Sequence, residues 1–334
     1  MQLPKILVKD KKTAFPVIQG GMAVRISLAP LAAAVARSGG IGIIGASGMP
    51  PAELAQHIDR AQKTTKGIIG VNIMVALNMF KELVQVAVEK KVDLIISGAG
   101  ISRDLFKWTK DKIPVFTLVS SARLALISAE LGASGIIVES GEAGGHLGTD
   151  PRTSVWDILP ETIKILRKNK YSSIPVIAAG GILKGKDIAR AVKMGASGVQ
   201  MGTRFALTHE SSAHANWKKI LLEAKEEDVE IIKSPVGMMG RAVRTPFVEK
   251  ILKDQAPPPG TYRLCRVCLG QCNKQYCIIE ALEKAQKGNV EEGIFFCGSR
   301  VGEINDVLSV NEVFLRLKKE YQAAVQTDYL RAAT

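Results

Sequence analysis

Aromatic residues make up only 5% of this 334-residue chain, although 46% of it is hydrophobic. A core must therefore be built mainly from Ile, Val, Leu and Ala, the residues that fill parallel sheets buried on both faces. Histidine is scarcer still, at four residues. No Ser/His/Asp constellation or His-x3-His spacing is present, which argues against serine hydrolases and zinc hydrolases. No apolar run is long enough to span a bilayer, and residues 1–5 lack the apolar stretch of a secretion signal. The expectation is a soluble cytoplasmic protein without a membrane partner. The formal charge is +13, but the basic residues fall in short groups with no interleaved aromatics. That pattern argues against a nucleic-acid stripe; the groups read as solvated helix ends, and the excess charge could attract an anionic carrier such as a CoA or acyl-carrier thioester.

Short apolar runs, rich in Ile and Val, recur at 17–21, 41–47, 68–73, 94–100, 115–120, 135–140, 174–180 and 198–205. Each ends at or near a glycine, serine or other turn-compatible residue. Helical patterns separate them at 29–37, 51–62, 79–89, 122–131, 160–169 and 186–194. Strands at this spacing are parallel and joined by right-handed crossovers, and eight such units close a (β/α)8 TIM barrel. An open doubly wound sheet is the competitor, but no Gly-x-Gly-x-x-Gly turn follows the first run. The barrel is expected over residues 1–210. Residues 211–334 form a helical extension closing the active face, with helices near 210–225, 278–286 and 311–325, a loop at 236–245 and a cysteine-rich segment at 265–297. Self-association is an open expectation.

Barrel enzymes often hold phosphate between the loops after strands seven and eight. Here strand seven runs into Gly180-Gly181 and strand eight into Gly202-Thr203. Glycines let backbone amides approach phosphate oxygens, and Thr203 adds a hydroxyl. A long loop follows strand six and carries Gly144-Gly145-His146. Imidazole exchanges protons near neutrality, and the flanking glycines free His146 to approach a flat ring. His146 is the candidate catalytic residue.

These pieces, together with residues 16–22, 70–72, 142–148, 176–182 and 198–205, resemble the nitronate monooxygenase (2-nitropropane dioxygenase) family, which also contains enoyl-acyl-carrier-protein reductase II. The resemblance runs in order across about the first 210 residues. It implies a non-covalent FMN at the C-terminal end of the barrel. By position, Gly21, Met22 and Asn72 would contact the ring or ribityl chain, Glu139, Gly144 and Gly145 would lie beside it, and Gly180, Gly181, Gly202 and Thr203 would hold the phosphate. Two chemistries fit: oxidation of nitronates or nitroalkanes with His146 as base, or NAD(P)H-dependent reduction of an enoyl thioester. A flavin-binding electron-transfer subunit is the alternative of another class. The loop 234–241 also resembles the family; its Arg241, with Arg244, reads either as a grip for a carboxylate or phosphate or as a solvated surface arginine.

Of five cysteines, Cys265, Cys268, Cys272 and Cys277 fall within thirteen positions, and Cys297 follows. In a reducing compartment such spacing reads as a metal site before it reads as disulfides. It resembles the Cys-x2-Cys-x3-Cys stretch of iron–sulfur flavoenzymes. A 4Fe–4S cluster is the first reading and zinc the alternative, with Cys297 able to replace Cys277 as fourth ligand.

Overall fold

The computed structural model describes residues 3–259 and 268–333. Eight strands form a closed barrel: β1 (Val17–Gln19), β2 (Ile41–Gly45), β3 (Ile68–Met74), β4 (Leu94–Gly98), β5 (Val115–Val119), β6 (Gly135–Glu139), β7 (Val176–Ala179) and β8 (Gly198–Met201). Every neighbouring pair is parallel, and β8 pairs back with β1 through Gln200 opposite Ile18. Side chains alternate along a strand, so one set fills the interior. That set is Ile18, Ile41, Ile43, Ile68, Leu94, Ile96, Phe116, Ile137 and Ile177, all within 3% of full burial. The N-terminal hairpin, which pairs Leu7–Val8 with Lys11–Lys12, floors the barrel with Ile6 and Val8.

Helices cover the outside: α1 (Ala29–Arg37), α2 (Pro51–Thr64), α3 (Phe80–Glu89), α4 (Arg103–Thr109), α5 (Ala122–Glu130), α6 (Val155–Lys168) and α7 (Gly185–Lys193). The packing of α1 onto β2 demands a glycine: a β-carbon at Gly42 would lie 1.8 Å from the Ala32 carbonyl oxygen. α4 has no counterpart among the sequence expectations. Only Leu105 and Thr109 of it are buried, too weak an apolar stripe to read from sequence. α6 starts at Val155, ahead of the expected Pro160. Ser154 caps it by accepting the Trp156 N–H, and Val155, Ile158, Leu159, Thr162, Ile163 and Leu166 form its buried face. That face outweighs the helix-starting signal of the proline.

After β8 come α8 (Thr203–Ala206), α9 (Ala215–Glu223), α10 (Pro246–Leu252), α11 (Ile278–Gln286) and α12 (Val310–Ala333). The expected loop at 236–245 is instead largely strand. Met239–Val243 pairs antiparallel with Val229–Lys233 on one side and with Gly145–Leu147 on the other. The extension is pinned to the barrel by Arg204, 6% exposed, which donates to Asp306 Oδ1 at 2.7 Å and to the Leu207 and Asp306 carbonyls. α12 adds Phe314, Leu317 and Tyr321 to the core beside Phe15. No helix among the described residues is long and apolar enough to cross a membrane.

Candidate active site

At the C-terminal end of the barrel, the inward-facing set changes from aliphatic to polar. Asn72 lies four residues beyond Ile68 on β3, Glu139 two beyond Ile137 on β6, and Gln200 two beyond Gly198 on β8. Each therefore faces the interior near its upper mouth. Among the described residues, Asn72 Oδ1 and Gln200 Oε1 are buried with no hydrogen-bond partner. Leaving such acceptors unpaired costs about 1–3 kcal/mol each, so the site is built for a ligand that supplies donors. Burial pushes the Glu139 carboxyl up to about 7, so it holds its proton over part of the neutral range. Gly21 crosses directly over Asn72: a β-carbon there would lie 2.2 Å from Asn72 Cβ. The Met22 N–H is spent on Ser27 Oγ at 2.8 Å, while Met22 Sδ lies 3.9 Å from the β-carbon position of Gly202. Gln200 was not singled out from the sequence, although its two-residue spacing from Gly198 carried the signal.

The glycine turns lie beside this layer. Gly180 and Gly181 have φ of +86° and +70°, a region open mainly to glycine. Thr203 Oγ1 accepts the Gly298 N–H at 2.9 Å, which leaves its hydroxyl proton free to donate. The Ser299 N–H donates to Glu142 O at 3.0 Å. Arg300 donates to Gly181 O and to Asp187 Oδ2 at 3.1 Å. Residues 298–300 thus close the turns from the far end of the chain and were missed in the sequence. Their local signal was an apolar run, 294–297, ending in Gly298-Ser299 as the barrel strands end. The turns, the threonine hydroxyl and the unpaired amide oxygens fit FMN.

His146 sits on the short strand Gly145–Leu147, opposite Gly240. Gly144 and Gly145 are needed for different reasons. A β-carbon at Gly144 would lie 2.5 Å from the Cys297 carbonyl carbon, whereas Gly145 has φ of +86°. His146 Nε2 is 2.7 Å from Ser234 Oγ, and its ring meets Phe296 edge-on at 5.3 Å. Burial pulls the imidazole down to about 4, so it is neutral at physiological pH. Arg241 is buried rather than solvated. Its Nη2 donates to Gly141 O at 2.7 Å and Pro151 O at 2.9 Å, tying together the two ends of the loop that carries His146. Arg244 pairs with Glu230.

The described cysteines differ in burial. Cys268 and Cys277 are half-buried, Cys272 is exposed and Cys297 is buried. Cys297 lies in a different cluster, with Ile26, Leu207 and Phe295, where burial pushes its thiol up to about 12. Among the described residues, no three His, Cys, Asp or Glu side chains form a group able to hold a metal ion. Cys265 lies outside the described residues.

Substituting Gly181→Ala should weaken FMN binding about tenfold or more. The left-handed backbone disfavours alanine, and its β-carbon would lie 2.9 Å from the Glu142 carboxyl. Fluorescence titration of the apoprotein measures this, and an unchanged affinity would count against the cradle.

Comparison with known proteins agrees with this geometry. The family model described as nitronate monooxygenase matches residues 5–90 and 76–320. A probable nitronate monooxygenase of Staphylococcus haemolyticus (strain JCSC1435) is 28% identical, covering 75% of this chain and 82% of that one. Its counterpart in Staphylococcus aureus (strain MSSA476) is 28% identical, covering 73% and 79%. The solved structure of FabK from Thermotoga maritima superposes with a TM-score of 0.84 at 30% identity, covering 96% of each chain. The nitroalkane oxidase of Streptomyces ansochromogenes shares the fold, with a TM-score of 0.80 at 21% identity over 94% of this chain and 98% of that one. The chain belongs to the nitronate monooxygenase family and is an FMN-dependent oxidoreductase.

Proposed function

We propose that this enzyme oxidises nitronates or small nitroalkanes, with His146 as the base that takes the α-proton of a nitroalkane. The observation that carries this reading is the placement of His146 on the glycine-flanked strand Gly145–Leu147, with its Nε2 2.7 Å from Ser234 Oγ. Burial keeps the imidazole neutral, which leaves one ring nitrogen with a lone pair to receive the proton. Bound FMN supplies a ring that takes electrons from an electron-rich carbon and passes them to oxygen. Gly180, Gly181, Gly202 and Thr203 would hold its phosphate, and Asn72, Glu139 and Gln200 would meet its polar groups. Gly21, Met22, Gly144 and Gly145 would lie against it.

The base role makes a differential prediction. Replacing His146 with alanine should lower kcat/KM for a neutral nitroalkane by about 10²–10⁴-fold. A preformed nitronate such as propionate 3-nitronate arrives without that proton and should lose far less. Equal losses for the two substrates would contradict a base.

The likeness to FabK at 30% identity supports a second reading, in which NAD(P)H delivers hydride by way of FMN to an enoyl thioester. Stopped-flow spectroscopy separates the two. The nitronate reading expects no fast flavin reduction by NADH or NADPH, and fast reduction by either favours the second reading.

Metal binding by Cys265, Cys268, Cys272 and Cys277, as a 4Fe–4S cluster or zinc, rests on spacing alone. Metal analysis with a visible spectrum of anaerobically purified protein tests it: stoichiometric iron with broad absorbance supports a cluster, stoichiometric zinc supports a knuckle, and neither metal rejects both.

A further inference from the structure

The Gly180–Gly181 turn is held from outside by one side chain, Arg300. Its Nη1 donates to Gly181 O and, at 3.1 Å, to Asp187 Oδ2. Its other edge meets Glu303 in two parallel bonds, Nε to Oε1 at 2.5 Å and Nη2 to Oε2 at 3.1 Å. A guanidinium held along one edge by a carboxylate has a fixed plane, so Nη1 is aimed. Asp187 Oδ2 also accepts the Leu183 and Lys184 N–H groups at 3.0 and 2.9 Å. Residues 181–184 are thus tied at their first carbonyl by Arg300 and at their last two amides by Asp187, and Arg300 joins the two ties. The segment that carries Arg300 is anchored next door: Val301 is fully buried, and its N–H donates to Gly298 O at 3.2 Å.

The Gly181–Ile182 peptide is trans. In a trans peptide the carbonyl and the following N–H point in opposite directions. Holding Gly181 O toward Arg300 therefore turns the Ile182 N–H to the other side of the turn. No backbone carbonyl among the described residues accepts that N–H. Glycine leaves such a peptide free to rotate, so a hold from outside is what fixes its direction. The charges around Arg300 balance. Arg300 and Lys184, whose Nζ lies 2.6 Å from Glu303 Oε2, stand against Asp187 and Glu303. Hydrogen bonds from Arg300 hold the Glu303 carboxyl down to about 2, so it is ionised at neutral pH. The group as a whole therefore offers a phosphate little long-range attraction.

We propose that Arg300 is a positioning residue for the cofactor phosphate: oriented by Glu303, it holds the Gly181–Ile182 peptide so that the Ile182 N–H faces the phosphate oxygens. The inference rests on the reading of the Gly180–Gly181 and Gly202–Thr203 turns as the phosphate cradle. Arg300 commits its donors to a carbonyl and two carboxylates of the protein, so it acts through the peptide and not by touching the phosphate. A residue of the extension thereby sets how well the barrel tells a phosphorylated flavin from an unphosphorylated one.

The test is titration of the full-length apoprotein and its variants with FMN and with riboflavin. Arg300→Ala should weaken FMN binding about 10- to 100-fold and leave riboflavin within about twofold. Glu303→Gln separates positioning from charge. It keeps both cations and removes a negative charge, so a field effect alone would tighten FMN. The account expects the opposite sign, a loss of about 3- to 10-fold, because Arg300 loses the carboxylate that orients it. Equal losses for the two flavins in Arg300→Ala, or an unchanged FMN affinity there, overturn the proposal. So does an unchanged or tighter FMN affinity in Glu303→Gln, which decides the matter if Arg300→Ala does not fold. Amide hydrogen exchange on the apoprotein needs no flavin: the Leu183 and Lys184 amides should exchange about tenfold faster in Glu303→Gln and Arg300→Ala, and unchanged exchange in both also overturns the proposal. If the wild type binds FMN and riboflavin equally, the cradle reading fails by itself, whereas the exchange rates still decide whether Arg300 holds the turn.

Discussion

A β-carbon at Gly180 would sit 2.4 Å from Ser140 Oγ, and one at Gly181 would sit 2.9 Å from the Glu142 carboxyl. This crowding between the loops after β6 and β7 is the constraint on which the site depends. It brings the backbone of the phosphate turn against the base of the loop that carries His146. The same loop is closed at its two ends by Arg241, whose Nη2 holds the Gly141 and Pro151 carbonyls together. The Gly180–Gly181 turn and the His146 loop are thus set by one packed unit.

The barrel supplies half of that unit. Its alternating pleat delivers Asn72, Glu139 and Gln200 to the mouth over an aliphatic interior, and their unpaired or neutral groups await a ligand. The extension supplies the rest. Gly298 and Arg300 close the turns after β8 and β7. The strand Met239–Val243 adds an edge to the His146 strand. Ser234 reaches His146 Nε2 at 2.7 Å. Neither part makes the site alone.

The barrel was legible because its strands are buried on both faces and read as continuous apolar runs that stop at glycine or serine. All eight were found, and the helix boundaries at Ala29–Arg37 and Ile278–Gln286 agree with the sequence reading. The glycines at 180, 181 and 202 were legible for the same reason, since their place after the last two strands is a matter of counting. What stayed hidden depends on partners distant in sequence. Arg241 looks like a solvated loop residue until carbonyls about a hundred positions away are brought to it. Gly240 sits in a strand because it pairs with Ile232 on one side and with His146, far away in sequence, on the other. Ser234 carries no local mark of its tie to His146. The cysteines are the reverse case: their spacing is conspicuous, yet among the described residues no three metal-ligating side chains gather.

The central claim is that this chain recognises a flavin by its phosphate, through the turns at Gly180–Gly181 and Gly202–Thr203. Parallel titration of the apoprotein with FMN and with riboflavin, which lacks only the phosphate, tests it most directly. The account predicts that riboflavin binds at least about a hundredfold more weakly, because a phosphate held by several backbone and hydroxyl donors contributes charge-assisted hydrogen bonds. Equal affinities for the two flavins would contradict it.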